Sequence, residues 1–402
     1  MKLNSKLFIT ILLIGVYAVS PDPYSPLSYT DRPCGSSLTN LWLDVVVVVD
    51  TSAGVGNSGL ASIAANIAAS FGSGIRIGTD PKEPRTTRVA LVSYDTKATI
   101  RADLNKYQSV DDLYSGLFGD LDRVSTSYDA YLELGLAAAA NVLQNGTHDG
   151  TNRTNYQQVV LVYASTYQGS GPLQILPVAM RMKAAGVKIV TVAYVEDGDI
   201  NLGEKLAKVA SPRMNFTSTQ QKSIVTSVQN AMLEANCFCP YHFIQFRDTY
   251  ADDYSLPYGV CIQPVGLNAV WRAAKLSCAN NYPNSYLINE YTATKHEFIL
   301  NAIKPYDGFV QPYTYHTGLS MINGNWTWDQ PNGWVQPQLQ KWANWGRGYP
   351  MLSSSMGAVV NEQSGPHAFW RNVGFYNTAA NFVCEIYACD TDNYCAPGAV
   401  DN

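Results

Sequence analysis

The chain has 402 residues, 46% of them hydrophobic, enough for two or three domains that each bury a core. Its 27 Lys and Arg against 32 Asp and Glu give a net charge of −5, and charged residues make up only 15% of the whole. With no basic stripe to neutralise phosphates, nucleic acid is excluded as a partner.

Lys2 and Lys6 precede the apolar run "LFITILLIGVYAVS", which ends among the small residues Ala18 and Ser20. This is the layout of a secretory signal peptide over 1–20. The run is short for a bilayer span, and no later segment approaches the ~20 apolar residues a membrane helix needs. The expectation is a secreted, extracellular protein without a membrane span. The eight cysteines are Cys34, Cys237, Cys239, Cys261, Cys278, Cys384, Cys389 and Cys395, an even set suited to an oxidising compartment. Zinc is the competing use of "CFC", but C-x-C lacks the C-x-x-C spacing and the His partners of structural zinc sites. Four N-x-[ST] sequons, at Asn145, Asn152, Asn215 and Asn325, predict glycosylated, exposed loops.

From Leu43 the chain reads "LDVVVVVD", a continuous β-branched run that marks a parallel strand buried on both faces. It turns through "TSAGVGNSG" into the helical pattern "LASIAANIAASFG". "RVALVSYDTKATIRADL" then gives two strands joined tightly at Asp95 to Lys97, "DAYLELGLAAAANVL" a helix and "VVLVYAS" another buried strand. "LQILPVAMRMKAAG" is a helix ending in Gly before the strand "VKIVTVAYV", and "LGEKLAKVAS" and "KSIVTSVQNAMLEAN" close the set. Alternating strands and helices predict a doubly wound, Rossmann-like α/β sheet over 40–236, with sites at the C-terminal ends of its strands.

The opening "DVVVVVDTSAG" and the order of elements after it resemble a von Willebrand factor A domain. The resemblance implies a divalent-cation site built from an Asp-x-Ser-x-Ser loop, a Thr from a second loop and an Asp after a later strand. Mg²⁺ suits such hard oxygens and keeps an open position for an acidic group of a partner. Asp50 and Ser52 match, but the second Ser position is Gly54, Ala164 stands where the later Asp is expected, and the Thr loop aligns only loosely with Ser125 to Ser127. What remains at Asp50 and Ser52 is a degenerate metal site, or else two caps for the helix that follows. No catalytic set emerges. Ser58 in "GNSG" does not complete G-x-S-x-G, and His148, His242, His296, His316 and His367 pair with no nucleophile at any motif. The Gly-rich turn lacks both phosphate-cradling patterns.

Beyond Cys239 the sequence becomes aromatic and rich in Gly and Asn. "NAVWRAAKLSCANN" reads as a helix, "SYLINEY" as a strand, "TATKHEFILNAI" as a second helix and "NFVCEI" as a closing strand, around a long irregular stretch that begins at "GNWTWDQPNGW". These blocks, with "WANWGRGYP" and "FWRNVGFYNTAANFVCEI", resemble an α+β C-type lectin-like domain over 239–388, leaving 389–402 as a tail. The resemblance pairs Cys278 with Cys384 and Cys239 with Cys261. The other four then pair Cys34 with Cys237, flanking the first unit, and Cys389 with Cys395 around a short terminal loop; spacing alone leaves the connectivity open. The resemblance also makes Trp326, Trp328, Trp342 and Trp345 core residues, each able to bury ~150–250 Å².

The family's sugar site ligates Ca²⁺ through Glu-Pro-Asn or Gln-Pro-Asp and through Trp-Asn-Asp. Here those places read Tyr349-Pro350-Met351 and Trp370-Arg371-Asn372, short of the six to eight oxygens Ca²⁺ takes. A further disulfide common in the family, between the regions of Gly357 and Phe375, has no cysteine at either end, which predicts a looser long loop. The expectation is a non-enzymatic recognition protein with no retained metal cofactor, binding a glycan or an extracellular protein through Tyr349, Arg371 and Asn372. The domain pair resembles secreted nematode lectin-like proteins associated with the response to microbes. The alternative is an adhesion module acting through the face around Asp50 and Ser52.

Overall fold

The computed structural model describes residues 30–398 apart from positions 73, 81, 149, 152, 169–173, 196–199, 220–222 and 354. The leader at 1–20 and the sequon at Asn152 lie outside the described residues.

The first unit runs β1 (Leu43–Asp50), α1 (Gly56–Ser70), β2 (Arg88–Tyr94), β3 (Ala98–Ala102), α2 (Val110–Asp120), α3 (Leu132–Thr147), β4 (Gln157–Ala164), α4 (Ile175–Ala184), β5 (Lys188–Ala193), α5 (Ile200–Val209), β6 (Asn215–Thr217) and α6 (Ile224–Ala235). Its sheet has the order β3-β2-β1-β4-β5-β6 and is parallel except for β3, which pairs antiparallel with β2. β1 is central because its valines serve two cores: Val45, Val47 and Val49 face α1, α2 and α6, while Val46 and Val48 face α3, α4 and α5. The helix α2 has no counterpart in the sequence reading. It buries only Leu113 and Leu117 and is fixed mainly at its start, where Ser109 accepts a hydrogen bond from the Asp112 amide at 3.0 Å.

The second unit runs β7 (Ile244–Arg247), β8 (Pro257–Val270), α7 (Trp271–Asn281), β9 (Tyr286–Leu287), α8 (Ala293–Ile303), β10 (Thr314–Ile322), β11 (Asn325–Trp328), β12 (Ala358–Ser364), β13 (His367–Val373) and β14 (Ala379–Tyr387). The sheet order is β13-β12-β10-β14-β8-β7, with β11 added to β10 and β9 to β14. "SYLINEY" yields only a two-residue strand, because Ile288 already leaves the ladder to bond Val383 and Gly318 across two strands. α7 starts at Trp271, since Ala269 and Val270 are still paired with β14.

Four disulfides join Cys34 to Cys237, Cys239 to Cys261, Cys278 to Cys384 and Cys389 to Cys395. The segment before β1 is built into the second unit. Pro33 bridges Tyr258, the Gly259 amide donates to the Arg32 carbonyl, and the Arg32 guanidinium pairs with buried Asp390 at 2.7 Å. Asp31 reaches Lys295 Nζ at 2.6 Å, and the same ammonium meets Glu385 at 2.9 Å, all three side chains being buried. Trp42 closes the junction from the other side, packing edge-on against Tyr156, Phe238 and Tyr394 and donating its Nε1–H to the Asp390 carbonyl.

Three sequons fall on described residues. Asn325 is exposed, but it opens β11 and is not in a loop; Asn145 is exposed in the last turn of α3. Asn215 departs from the exposed-loop expectation altogether. It lies half-buried in β6, its amide donating to the Gly203 carbonyl at 3.1 Å and accepting from Thr191 at 2.7 Å, because an edge strand this short is held by side-chain bonds.

Candidate functional site

Two places gather the residues singled out by sequence. The first lies at the C-terminal ends of β1 and β4, the switch point where ligands enter open α/β sheets. Asp50 is fully buried; its Oδ1 accepts from the Ser52 amide at 2.9 Å, and its Oδ2 accepts from the Ser165 amide at 3.2 Å and the Ser165 hydroxyl at 2.7 Å. Thus Ser165, and not Ala164, faces the carboxylate, because Ala164 is the last residue of β4 and points into the apolar layer under α3. The loop 125–127 also packs here, the Ser125 amide donating to the Thr51 carbonyl and the Ala53 amide to the Ser127 carbonyl.

The capping role considered for Ser52 is not what the structure forms. Its Oγ is buried without a hydrogen-bond partner, and α1 begins at Gly56 with no side-chain cap. Asp50 folds back on the Ser52 amide and keeps the loop tight. The oxygen set is therefore one carboxylate already accepting three bonds plus one orphaned hydroxyl, against the octahedral array a Mg²⁺ ion requires. Among the described residues, no group of three or more His, Cys, Asp or Glu is placed to hold a metal.

The second place is the long loop between β11 and β12, which is organised by tryptophans. Trp370 on β13 is fully buried, with ring centroids at 5.5 Å from Trp328, 5.1 Å from Trp342 and 5.7 Å from Trp345, all near perpendicular; Trp326 lies 4.9 Å from Trp345. Edge-to-face contact suits the ring quadrupoles. Main-chain bonds from Trp370 to Asn344 and from Gly346 to Trp370 lay the loop along the free edge of β13, so that the edge is covered. The fifth tryptophan of the run, Trp334, stays out of this cluster and is 46% exposed.

Of the three residues assigned to binding, Asn372 is wholly buried. Its Oδ1 accepts from the Met351 amide at 2.7 Å and its Nδ2 donates to the carbonyls of Met351 and Met356 at 2.9 Å, so it clamps the loop and offers nothing to a ligand. That corrects its expected role as an oxygen donor: in a loop with few internal strands, the backbone groups claim the nearest amide. Arg371 is half-exposed and ion-paired with Glu362 at 2.7 Å, and Tyr349 is half-buried. The exposed surface beside them is apolar, made by Met351, Leu352 and Phe369. A Ca²⁺ ion finds no free carboxylate in this set.

A polar network that sequence reasoning missed lies beneath the tryptophans. Glu290 accepts from the Trp370 indole at 2.6 Å, from Tyr315 and from His296 Nδ1 at 3.0 Å, and all four side chains are buried. Burial raises the Glu290 carboxyl, but the His296 charge and the three hydrogen bonds outweigh it and hold the group below its ordinary value. Burial likewise lowers His296, and the Glu290 charge, together with its hydrogen bond, the Glu297 charge and the Ala368 carbonyl, outweighs it and raises the group. The pair is an acid–base couple sealed in a core.

Residues 44–231 match the family profile of the von Willebrand factor type A domain. A C-type lectin domain-containing protein of Caenorhabditis elegans, number 160 of its series, is 28% identical over 395 residues, covering 94% of this chain; the chain spans 58% of that relative's length. Among solved structures, proximal thread matrix protein 1 from the mussel byssus, with zinc in its MIDAS motif, shares 19% identity over 50% of this chain and 48% of its own, with a TM-score of 0.38. The C-type lectin domain of murine dendritic cell inhibitory receptor 2, solved with an N-glycan, shares 15% identity over 37% of this chain and 98% of its own, with a TM-score of 0.28. Residues 44–231 thus match a von Willebrand factor type A domain on a Rossmann-like sheet, and the chain as a whole is similar to a C-type lectin domain-containing protein.

Proposed function

We propose that this is a secreted, non-enzymatic recognition protein that binds a glycan or an extracellular protein without a metal, in the response to microbes. One observation carries the reading: at both places where these folds hold a cation, the surviving oxygens other than the Ser52 hydroxyl are spent inside the protein, Asp50 on Ser52 and Ser165 and Asn372 on the backbone of residues 351 and 356. What the long loop offers instead is an apolar and aromatic surface, with Tyr349 and the Arg371–Glu362 pair at its margin. Four disulfides, and the lack among the described residues of any helix long and apolar enough to cross a membrane, support an extracellular setting. The test is binding of the full chain to immobilised glycans and microbial cell walls with and without EDTA. Binding that survives chelation is expected; its abolition sinks the metal-free reading.

The orphaned Ser52 hydroxyl favours a second reading, in which the face around Asp50 engages an extracellular protein partner. Calorimetric titration with Mg²⁺ separates the two, since saturable heat belongs only to the second.

A further inference from the structure

Trp334 is the one tryptophan of the 324–350 run that does not join the Trp370 cluster. It stands on the turn after β11, its ring centroid 5.3 Å from that of Tyr387, and forms one wall of a cavity of about 450 Å³ on a different part of the lectin-like unit. Tyr291, Gln330 and the segment from Thr30 to Arg32 line the same cavity. A second hollow on the other side of the Pro331–Trp334 turn shares Trp334 and Tyr387, so the indole stands between two adjoining depressions.

The charges here are already answered. Asp31 and Glu385 share Lys295, Glu385 also accepts from Tyr286 and from the Asn289 amide, and Arg32 is held by Asp390. An ionic ligand meets no free counter-charge. The unspent groups are neutral. The Tyr291 oxygen accepts from Asn289 at 2.9 Å and from Gln330 Nε2 at 3.2 Å, but its own O–H has no acceptor among the described residues. Burial holds that hydroxyl above its ordinary pKa, so it keeps its proton. Gln330 is 8% exposed, and its Oε1 accepts no hydrogen bond among the described residues. A donor and an acceptor thus stand on two bonded side chains beside exposed aromatic faces. This is the composition of a site for an uncharged, hydroxyl-bearing ring: the flat C–H face of a pyranose stacks on an indole, and adjacent hydroxyls need one donor and one acceptor.

We propose that the Trp334 cavity is a subsite for a neutral oligosaccharide, with a pyranose ring stacked on Trp334 and a pair of its hydroxyls bound by Tyr291 and Gln330. The assignment rests on the recognition role proposed above but not on the stretch of the long loop around Tyr349 and Asn372; it uses the start of that loop, at Gln330 and Trp334. Neither metal nor Asn372 takes part.

The experiment is saturation-transfer NMR and calorimetry on the full secreted chain, using chitotriose, laminaritriose and mannotriose as neutral probes and sialyllactose as the anionic one. At least one neutral trisaccharide is expected to bind and sialyllactose not to bind better. Trp334→Ala should weaken that binding about tenfold, and Tyr291→Phe, which keeps the ring and so the fold, about threefold. EDTA should leave it unchanged, and Trp334→Ala should weaken it more than Tyr349→Ala does. Absence of neutral-sugar binding, a preference for sialyllactose, or binding indifferent to both Trp334→Ala and Tyr291→Phe overturns the proposal. If Tyr349→Ala abolishes binding while Trp334→Ala does not, the cavity assignment falls and the recognition role stands at the long loop. If the chain binds neither these sugars nor immobilised glycans, cell walls or extracellular proteins, both fall.

Discussion

Phe375 lies across Gly357 so closely that a Cβ added to the glycine falls 2.5 Å from its ring. The ring also meets Trp271 edge-on at 5.2 Å and sits under the Arg272 guanidinium at 4.9 Å. This stack occupies the place where the lectin-like resemblance implies a further disulfide, and packing fixes the base of the long loop there. Gly357→Ala should cost about 1–3 kcal/mol by overpacking, and Phe375→Ala roughly 2 kcal/mol, because the ring is only partly buried. Urea unfolding monitored by tryptophan fluorescence reads both, and a neutral Gly357→Ala would mean the ring is free to move aside.

Lys295 is the only cation between Asp31 and Glu385 among the described residues. Lys295→Met leaves two carboxylates facing each other in a core and should destabilise the protein by about 3–5 kcal/mol. Asp31→Ala is expected to lower the unfolding midpoint of the lectin-like unit although it lies 264 residues from Lys295. Denaturant midpoints for the two variants check this, and an unchanged midpoint for Asp31→Ala would show the N-terminal arm to be dispensable.

Burial pushes His316 down to about 4, only partly opposed by the carbonyls of Ala269 and Thr378. Between that value and the unfolded ~6.5, the unfolded chain takes up a proton the folded one refuses, so stability falls as pH falls, by up to roughly 3 kcal/mol. His296 has the opposite sign. Its folded value is raised, so its contribution is complete below ~6.5 and is lost as pH rises through the folded value. Melting temperatures of the wild type, His316→Gln and His296→Gln across pH 4 to 9 should show the first variant flattening the acid limb and the second the alkaline limb.

The metal-free reading has a constructive counterpart at the end of β1. Gly54 has room for a side chain, since an added Cβ meets nothing nearer than Ser52 Oγ at 3.8 Å. Calorimetry should show no saturable heat when the wild type is titrated with Mg²⁺. The double variant Gly54→Ser, Ser165→Asp, which supplies a second hydroxyl and a second carboxylate beside Asp50, should bind it. A wild type that already binds at millimolar Mg²⁺ would reverse the conclusion.

The α/β half was legible because its signals are local. "LDVVVVVD" can satisfy six apolar residues, five of them β-branched, only between two helical layers, and the Ala-rich stretches have one apolar stripe each. α2 was not, since two aspartates and one cap carry little periodicity. The candidate sites were harder. An asparagine near a loop has the same letters whether it ligates an ion or clamps a backbone, and Asn372 takes its role from where Met351 and Met356 pass. One residue of register at a strand end decides that Ser165 meets Asp50. Lys295 reads as a solvated helix position, because nothing within its own sequence neighbourhood announces a carboxylate arriving from residue 31.

The splice of residues 31–35 into the second unit also has a meaning in time. Arg32 waits for Asp390, 358 residues downstream, and at ~5–20 residues per second of synthesis that interval is roughly 20–70 s. During it the strip at residues 31–33 is unmatched, although Cys34 meets its own partner Cys237 after 203 residues, so the α/β half is complete while its leading end is still open. Maturation of this molecule therefore closes its leading segment late, on a residue made 358 positions after it.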